Sequence, residues 1–113
     1  MTLKTIVDRL HFTADCPEEF LNQTVTGGYA SDLLSDVIAN SKAGQVWVTM
    51  QAHVNIVAVA VLKDLAGIIL VQGKKPSEET VKKAKEEKVA IVVSDLPAFE
   101  TAGRIYQLLE GGP

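Results

Sequence analysis

Several residue types are scarce in this chain, and each scarcity excludes a class of protein. The 113 residues contain one cysteine, Cys16, so no disulfide can form within the chain and no cysteine cluster can bind zinc. Positive charge is not in excess, because 11 Lys and Arg residues stand against 14 Asp and Glu residues, a formal net charge of −3. A basic nucleic-acid-binding surface is therefore not expected.

Aromatic residues are also scarce, and small aliphatic residues take their place. The chain has 3 Phe, 2 Tyr and 1 Trp, against 14 Val, 7 Ile, 11 Leu and 12 Ala. A surplus of Val and Ile is typical of parallel strands that are buried on both faces by helices. The length fits one domain, so we expect a single α/β domain over residues 1–113.

One segment is a candidate for crossing a membrane, because residues 43–62 carry no formal charge. Its 20 residues are long enough to span a bilayer, but five polar residues interrupt it: Gln45, Thr49, Gln51, His53 and Asn55. We interpret it as a buried strand, a polar loop and a buried helix. Residues 2–9 lack the apolar stretch of a signal peptide, so we expect a cytoplasmic protein that makes no membrane contact.

The first 44 residues predict two helices and two strands, the first of them a short strand at 11–13. A short amphipathic helix is indicated by apolar residues at helical spacing: Leu3, Ile6, Val7 and Leu10. Residues 24–26 favour a strand that ends at Gly27-Gly28. Ser31 is the expected N-cap of the next helix, which we expect Gly44 to end.

From residue 45 onwards, strands and helices alternate. Strands are predicted at 45–50, 68–71 and 89–93, and helices at 54–65, at 77–88 and after Pro97. The last helix has a predicted apolar face formed by Phe99, Ala102, Ile105, Tyr106 and Leu109. Right-handed crossovers then give a three-layer α/β/α fold with a mostly parallel central sheet. The almost wholly apolar helix 54–65 is expected to contribute to a homodimer interface.

Ligands of such sheets bind beyond the carboxyl ends of the strands, which selects the polar and glycine residues of those loops. These candidates are Gly27, Gly28, Ser31 and Asp32; Gln51, His53 and Asn55; Gly73, Lys74 and Lys75; Ser94 and Asp95. Gly73 and Lys74 do not form a Walker motif, because Gly67 lies six residues before Gly73 instead of five and Lys75 replaces the Ser or Thr.

Three features of the sequence each allow two interpretations. Gly27-Gly28 could bring backbone amides close to an anion, or form a bend that needs permissive backbone angles. His53 could be a general base or metal ligand, or could cap a helix. Asp32 and Asp36 could bind a cation, or could interact with a helix dipole. Since nothing combines a nucleophile, a base and an oxyanion hole, we expect no catalytic residue, no metal and no cofactor.

Residues 25–36, with Thr26-Gly27-Gly28 at their start, resemble a DRTGG domain. The similarity continues through residues 45–49 and 55–60 and covers nearly the whole chain. Thr24-Val25 stand where the family name has Asp-Arg, so no role of that pair is carried over. The resemblance implies a fold similar to the N-terminal domain of HPr kinase/phosphorylase.

The resemblance also implies a function. DRTGG domains occur within phosphotransacetylases and between the CBS domains of regulated pyrophosphatases, where they are accessory domains associated with regulation and subunit contacts. We therefore expect a non-catalytic regulatory, ligand-sensing or protein-interaction module that forms a homodimer. Its expected partner is a separately encoded kinase, phosphatase or other regulated protein. The alternative is a small protein that binds a phosphorylated ligand or nucleotide and acts with an HPr kinase-like serine kinase. Relatives of this kind are called serine kinases, but these 113 residues include no nucleotide-binding kinase domain.

Overall fold

Helices and strands alternate along most of the chain. A computed structural model describes residues 1–111. The helices are α1 (Leu3–Leu10), α2 (Leu34–Asn40), α3 (Asn55–Lys63), α4 (Glu78–Glu87) and α5 (Ala98–Leu109). The strands are β1 (Thr13–Ala14), β2 (Gly27–Ala30), β3 (Gln45–Thr49), β4 (Gly67–Leu70) and β5 (Ile91–Val93), and a 3₁₀ helix spans Glu18–Asn22.

The strands form one sheet in the order β1-β5-β4-β3-β2. Strands β2 to β5 are parallel, and β1 pairs antiparallel with β5. Each parallel strand is added on the same side of the one before it, so right-handed crossovers place α2, α3 and α4 on one face. Helices α1 and α5 cover the other face, which confirms the predicted three-layer α/β/α architecture.

The core has two halves, one on each face of the sheet. Val46 and Val48 of β3 point into the half beneath α1 and α5, whereas Trp47 points into the half beneath α2 to α4. All three side chains are almost completely buried. This double burial explains the surplus of aliphatic residues, since each buried aliphatic side chain contributes roughly 1.5–3 kcal/mol by leaving water.

The position of the glycine pair differs from the prediction. The strand predicted at 24–26 is wrong: β2 begins at Gly27, and Thr24 makes only an isolated bridge with Thr2. The glycines therefore lie inside a strand instead of at a bend. Pairing of Gly27 and Gly28 with β3 holds them extended, so tertiary pairing overrides the low strand propensity of glycine.

The predicted limits of the second helix are also wrong. Its N-cap is Leu33, while the Ser31 hydroxyl accepts a hydrogen bond of 3.2 Å from the Leu33 amide before the helix begins. The helix ends at Asn40, and Gly44 instead precedes β3 with φ of +83°. A side chain at Gly44 would put its Cβ 2.7 Å from the Thr26 hydroxyl oxygen, so this position requires glycine.

The apolar face predicted for the last helix is only partly buried. Ile105 is buried, but Phe99 is 85% exposed and Tyr106 is 68% exposed. Thr101 takes a buried position instead, because its hydroxyl oxygen lies 2.8 Å from that of Ser94. Helix α5 therefore turns an aromatic side to solvent. Over residues 1–111, the helices are too short to traverse a bilayer.

Candidate functional site

A groove of about 520 Å³ lies between the edge strand β2 and helix α5. In the register of the sheet, Gly28 lies beside Val46 and Ala30 lies beside Val48, and both valines belong to the core beneath α5. Gly28 and Ala30 therefore occupy core-facing positions with almost no side chain. Ala102 of α5 is also small and lines the same space. The groove exists because these residues leave the helix and the strand incompletely packed.

The lining of the groove is mostly apolar. Val25, Ile105 and Leu109 contribute aliphatic surface, and Tyr106 borders the groove. Met1 also lines the groove, and its polar or charged edge is formed by Thr26 and Glu110. The Thr26 hydroxyl already donates a hydrogen bond of 3.3 Å to the Ala43 carbonyl. Among the described residues that line the groove, none is Lys or Arg. This surface favours a flat, largely apolar group over a phosphate.

The outer edge of β2 borders the groove and exposes backbone groups. The Ser31 amide donates to the Val48 carbonyl of β3 at 3.2 Å. With the observed register, the amide of Tyr29 also points towards β3, so those of Gly28 and Ala30 point outwards. Both of these residues are exposed. A ligand in the groove can therefore reach backbone donors and acceptors as well as apolar surface.

A second group of polar residues lies beyond the carboxyl ends of β2 and β3, and we call it the loop clasp: Asp32, Thr49, Met50 and Gln51. One oxygen of the Asp32 carboxylate accepts hydrogen bonds from the Thr49 hydroxyl and the Met50 amide, both at 2.8 Å. The Gln51 side-chain amide donates to the Asp32 carbonyl at 3.1 Å, and its backbone amide donates to the Thr49 hydroxyl at 3.1 Å. These bonds join the loop after β2 to the loop after β3.

Ser31 and His53 flank the loop clasp and make local contacts. The Ser31 carbonyl accepts a hydrogen bond of 2.8 Å from the indole of Trp47, which anchors the end of β2 to the core. Nδ1 of His53 accepts a hydrogen bond of 3.2 Å from the Asn55 amide at the start of α3. His53 therefore contacts the first residue of α3 from the position before the N-cap of that helix, Val54.

Asp36 takes part in a separate network. The Tyr29 hydroxyl lies 2.9 and 3.0 Å from its two carboxylate oxygens, and the Asn40 side chain donates to it at 2.9 Å. Hydrogen bonds from Ser31, Asn40 and Tyr29 lower the pKa of Asp36, and the bond to Asp36 raises the pKa of Tyr29. Within residues 1–111, no group of three or more His, Cys, Asp or Glu residues could hold a metal ion.

The predicted site residues thus fall into two separate regions. Gly27 and Gly28 line the groove, whereas Ser31, Asp32, Gln51 and His53 lie in the loops beyond the strand ends and do not line it. Two further predicted candidates, Gly73 and Ser94, hold the next two loops together through a 2.8 Å backbone hydrogen bond.

Sequence reasoning missed the contribution of α5 to the site: Ala102, Tyr106 and Glu110. Their spacing marks a helix face, but that pattern does not tell whether the face is packed or open. The small residues at alternate positions of β2, Gly28 and Ala30, are the signal that could have indicated a groove.

Comparisons with known proteins agree with this fold. The family model of the DRTGG domain matches residues 18–108. The crystal structure of the CBS and DRTGG domains of the regulatory region of Clostridium perfringens pyrophosphatase, complexed with the activator diadenosine tetraphosphate, is similar with a TM-score of 0.72 and 19% sequence identity. The match covers 94% of this chain but only 46% of that chain. No curated protein matches the sequence. With most of its length matched by the family model, the chain belongs to the DRTGG domain family.

Proposed function

We propose that this chain is a non-catalytic regulatory module that senses a small ligand in the groove between β2 and α5 and acts as a homodimer. One observation carries the proposal: Thr26-Gly27-Gly28, which this chain shares with the family name, lines the groove. The glycine at position 28 leaves the floor of the groove open. Glycine has low strand propensity, and in a strand it often marks a site where a ligand or another backbone approaches closely.

The chemistry of the lining indicates the ligand class. The aliphatic walls and the exposed Tyr106 suit a planar ring, and the outward backbone groups of Gly28 and Ala30 suit its polar edge. A nucleobase has both properties. The similar pyrophosphatase structure supports this choice, because it contains a DRTGG domain in a regulatory region and a dinucleotide activator.

The polar groups of the groove support a role without catalysis. The Thr26 hydroxyl already donates to a backbone carbonyl, and neither His11 nor His53 lines the groove. A nucleophile needs a base within hydrogen-bond distance, whereas the hydrogen bond of the Thr26 hydroxyl goes to the backbone carbonyl of Ala43. Regulation would then act on a separate protein of the cytoplasm, such as a kinase or phosphatase, which co-purification from the native cell would identify.

The alternative function is binding of a phosphorylated ligand in support of an HPr kinase-like serine kinase. Its site would be the loop residues beyond the strand ends: Ser31, Asp32, Gln51 and His53. The nucleotide in the similar structure supports a phosphorylated ligand in general terms. The two sites do not share residues, so point substitutions can separate the two functions.

Isothermal titration calorimetry with adenosine, AMP and diadenosine tetraphosphate tests the proposal. We expect adenosine and AMP to bind with similar affinity, because the groove recognises the ring. Gly28→Val should weaken binding at least about tenfold, since its side chain enters the groove, and contacts of 3.5 Å with Val46 leave room for it in the fold. His53→Ala and the control Lys74→Ala should bind like the wild type.

Three results would contradict the proposal. Binding that requires phosphate and is lost in His53→Ala would favour the alternative site. Turnover of a bound nucleotide would show that the module is an enzyme. If none of the three compounds releases heat at millimolar concentration, the groove does not bind a nucleobase, and a protein-interaction module remains.

A further inference from the structure

The outer edge of β2 has no neighbouring strand among the described residues. Proteins usually protect such edges with charged residues, proline, bulges or very short strands, because a free edge pairs with other chains. The opposite edge of the sheet follows this rule, since β1 has only two residues. The edge strand β2 reads Gly27-Gly28-Tyr29-Ala30, with no charge and no proline, and so lacks these protections.

Helix α5, which packs on β2, has an exposed side that the monomer does not explain. Phe99 and Tyr106 are exposed, and Gly103 lies between them near the middle of the helix. A Cβ at Gly103 would meet no atom within 4 Å, so no contact within the chain requires glycine there. Glycine weakens a helix relative to alanine, but it allows another backbone to approach closely.

We propose that a second copy of this chain pairs its β2 antiparallel with β2 across a two-fold axis beside Tyr29. The outward backbone groups of Gly28 then lie opposite those of Ala30 of the second copy, and the two pairs form four hydrogen bonds. The proposal gives a location to the homodimer of the proposed function and rests on it. The two sheets become one continuous sheet.

The same axis brings the two α5 helices together. Paired strands lie about 4.8 Å apart, and α5 packs over both β2 and β3, so it is set back from the edge. The two helices then come to about the 8–10 Å separation at which helices pack. Gly103 lies at their closest approach, and Phe99 of one copy extends towards Tyr106 of the other. The exposed aromatic side of α5 thereby becomes buried.

The charges that flank β2 favour a second copy in the antiparallel direction. Lys42 lies at the amino end of β2, because the carbonyl of the next residue, Ala43, accepts a hydrogen bond of 3.3 Å from Thr26. Asp32 and Asp36 lie beyond the carboxyl end. Antiparallel pairing places Lys42 of each copy towards Asp32 and Asp36 of the other, whereas parallel pairing would bring these like charges together.

The dimer also completes the groove. The groove lies alongside the outer edge of β2, and the second copy closes that side with its own β2 and α5. The ligand cavity is then shared between two copies. Contacts between the ligand and the second copy would strengthen dimerisation by the same factor as they strengthen ligand binding, because coupling between two binding events is reciprocal.

Sedimentation equilibrium of the full chain and three variants tests the inference. Ala30→Pro removes an outward N–H at an edge position where proline is tolerated, and Gly103→Gln blocks the helix contact with a good helix former. Leu62→Lys is the matched control, because Leu62 is 67% exposed on α3, the helix at which the sequence predicted the interface instead. We expect a wild-type dimer, at least a tenfold weaker dimer for the first two variants, and an unchanged dimer for Leu62→Lys.

Circular dichroism establishes that each variant is folded, and Gly103→Gln decides the matter if Ala30→Pro does not fold. A dimer that resists Gly103→Gln and dissociates with Leu62→Lys would overturn this inference but keep the homodimer of the proposed function. A wild-type protein that stays monomeric up to about 1 mM would overturn both. Ligand binding is measured separately by calorimetry, so its failure would contradict only the sensing role.

Discussion

The loop clasp and the groove differ in how far their polar groups are satisfied within the chain. In the loop clasp, Asp32, Thr49 and Gln51 bind one another through bonds of 2.8 to 3.1 Å and join two loops. In the groove, the backbone groups of Gly28 and Ala30 face outwards without a neighbouring strand among residues 1–111. The region richest in chemical side chains is therefore structural, and the region poorest in them is open to a ligand.

This difference has a physical basis in what each region contributes to folding. A carboxylate that accepts two hydrogen bonds stabilises the native state, and removing it leaves donors unpaired. A glycine in an edge strand contributes little, so replacing it can even increase stability. Substitutions should thus separate the two regions, with loss of stability in the loop clasp and loss of binding in the groove.

The largest effect on stability is expected for Asp32→Ala. The change leaves the Thr49 hydroxyl and the Met50 amide without their acceptor, and the Thr49 side chain is buried. We expect the free energy of unfolding in urea to fall by about 2 kcal/mol. The control is Asp8→Ala, which removes only an exposed ion pair of 3.6 Å with Lys4 and should cost less than about 0.5 kcal/mol. Equal losses would show that the loop clasp has no special structural role.

Gly103→Ala should increase the stability of the fold by about 1 kcal/mol, because alanine is the better helix former and its Cβ meets no atom within 4 Å. The same change should weaken the dimer, since it thickens α5 at the proposed contact. Urea unfolding at low protein concentration measures the first effect, and sedimentation measures the second. A Gly103→Ala variant that is more stable but dimerises like the wild type would show that Gly103 is not part of the interface.

Gly28→Val should leave stability unchanged or raise it by up to about 1 kcal/mol, because valine favours strands. Gly27→Val is the matched control, since Gly27 borders the groove only through its backbone. Its side chain would point to the opposite face, where the nearest atoms of Gln45 are 3.8 Å away. The two variants should unfold alike, but only Gly28→Val should lose affinity for adenosine. Equal affinities in the two variants would indicate that the ligand does not enter the groove.

The smallest effect concerns pH. Hydrogen bonds from Ser31, Asn40 and Tyr29 hold the pKa of Asp36 below its ordinary 3.8. A carboxyl whose pKa is lower in the folded chain stabilises the fold above its unfolded pKa and loses that contribution as the pH falls through the folded pKa. Wild type should therefore exceed Asp36→Asn in stability at neutral pH, and the difference should shrink below about pH 4. A difference that is constant from pH 7 to strongly acidic conditions would contradict this.

The layers of the fold could be predicted from sequence because hydrophobic patterns report burial directly. The all-apolar runs around Ile68 and Val92 indicated central strands, and both side chains are completely buried. The position of β2 could not be predicted, because two glycines carry no pattern and only pairing with β3 makes them extended. Without knowledge of that pairing, a Gly-Gly sequence predicts a turn.

The candidate site could be predicted in part for a related reason. Residue type indicated that Asp32 and His53 can do chemistry. Only geometry shows that one carboxylate oxygen of Asp32 is already bound to Thr49 and Met50, and that Nδ1 of His53 is bound to Asn55. Likewise, the spacing of Tyr106 placed it on an apolar helix face, whereas the small residues opposite leave that face open. Whether a polar group is satisfied depends on its neighbours in space.

Chemical-shift mapping of the backbone amides during a titration with adenosine tests the central claim most directly, because it reports on both regions in one experiment. We predict small shifts at Asp32, Gln51 and His53. The largest shifts should occur in residues 25–30 and in the other residues that line the groove: Ala102, Ile105, Tyr106, Leu109 and Glu110. Large shifts around the loop clasp and His53, with an unperturbed β2 and α5, would contradict it.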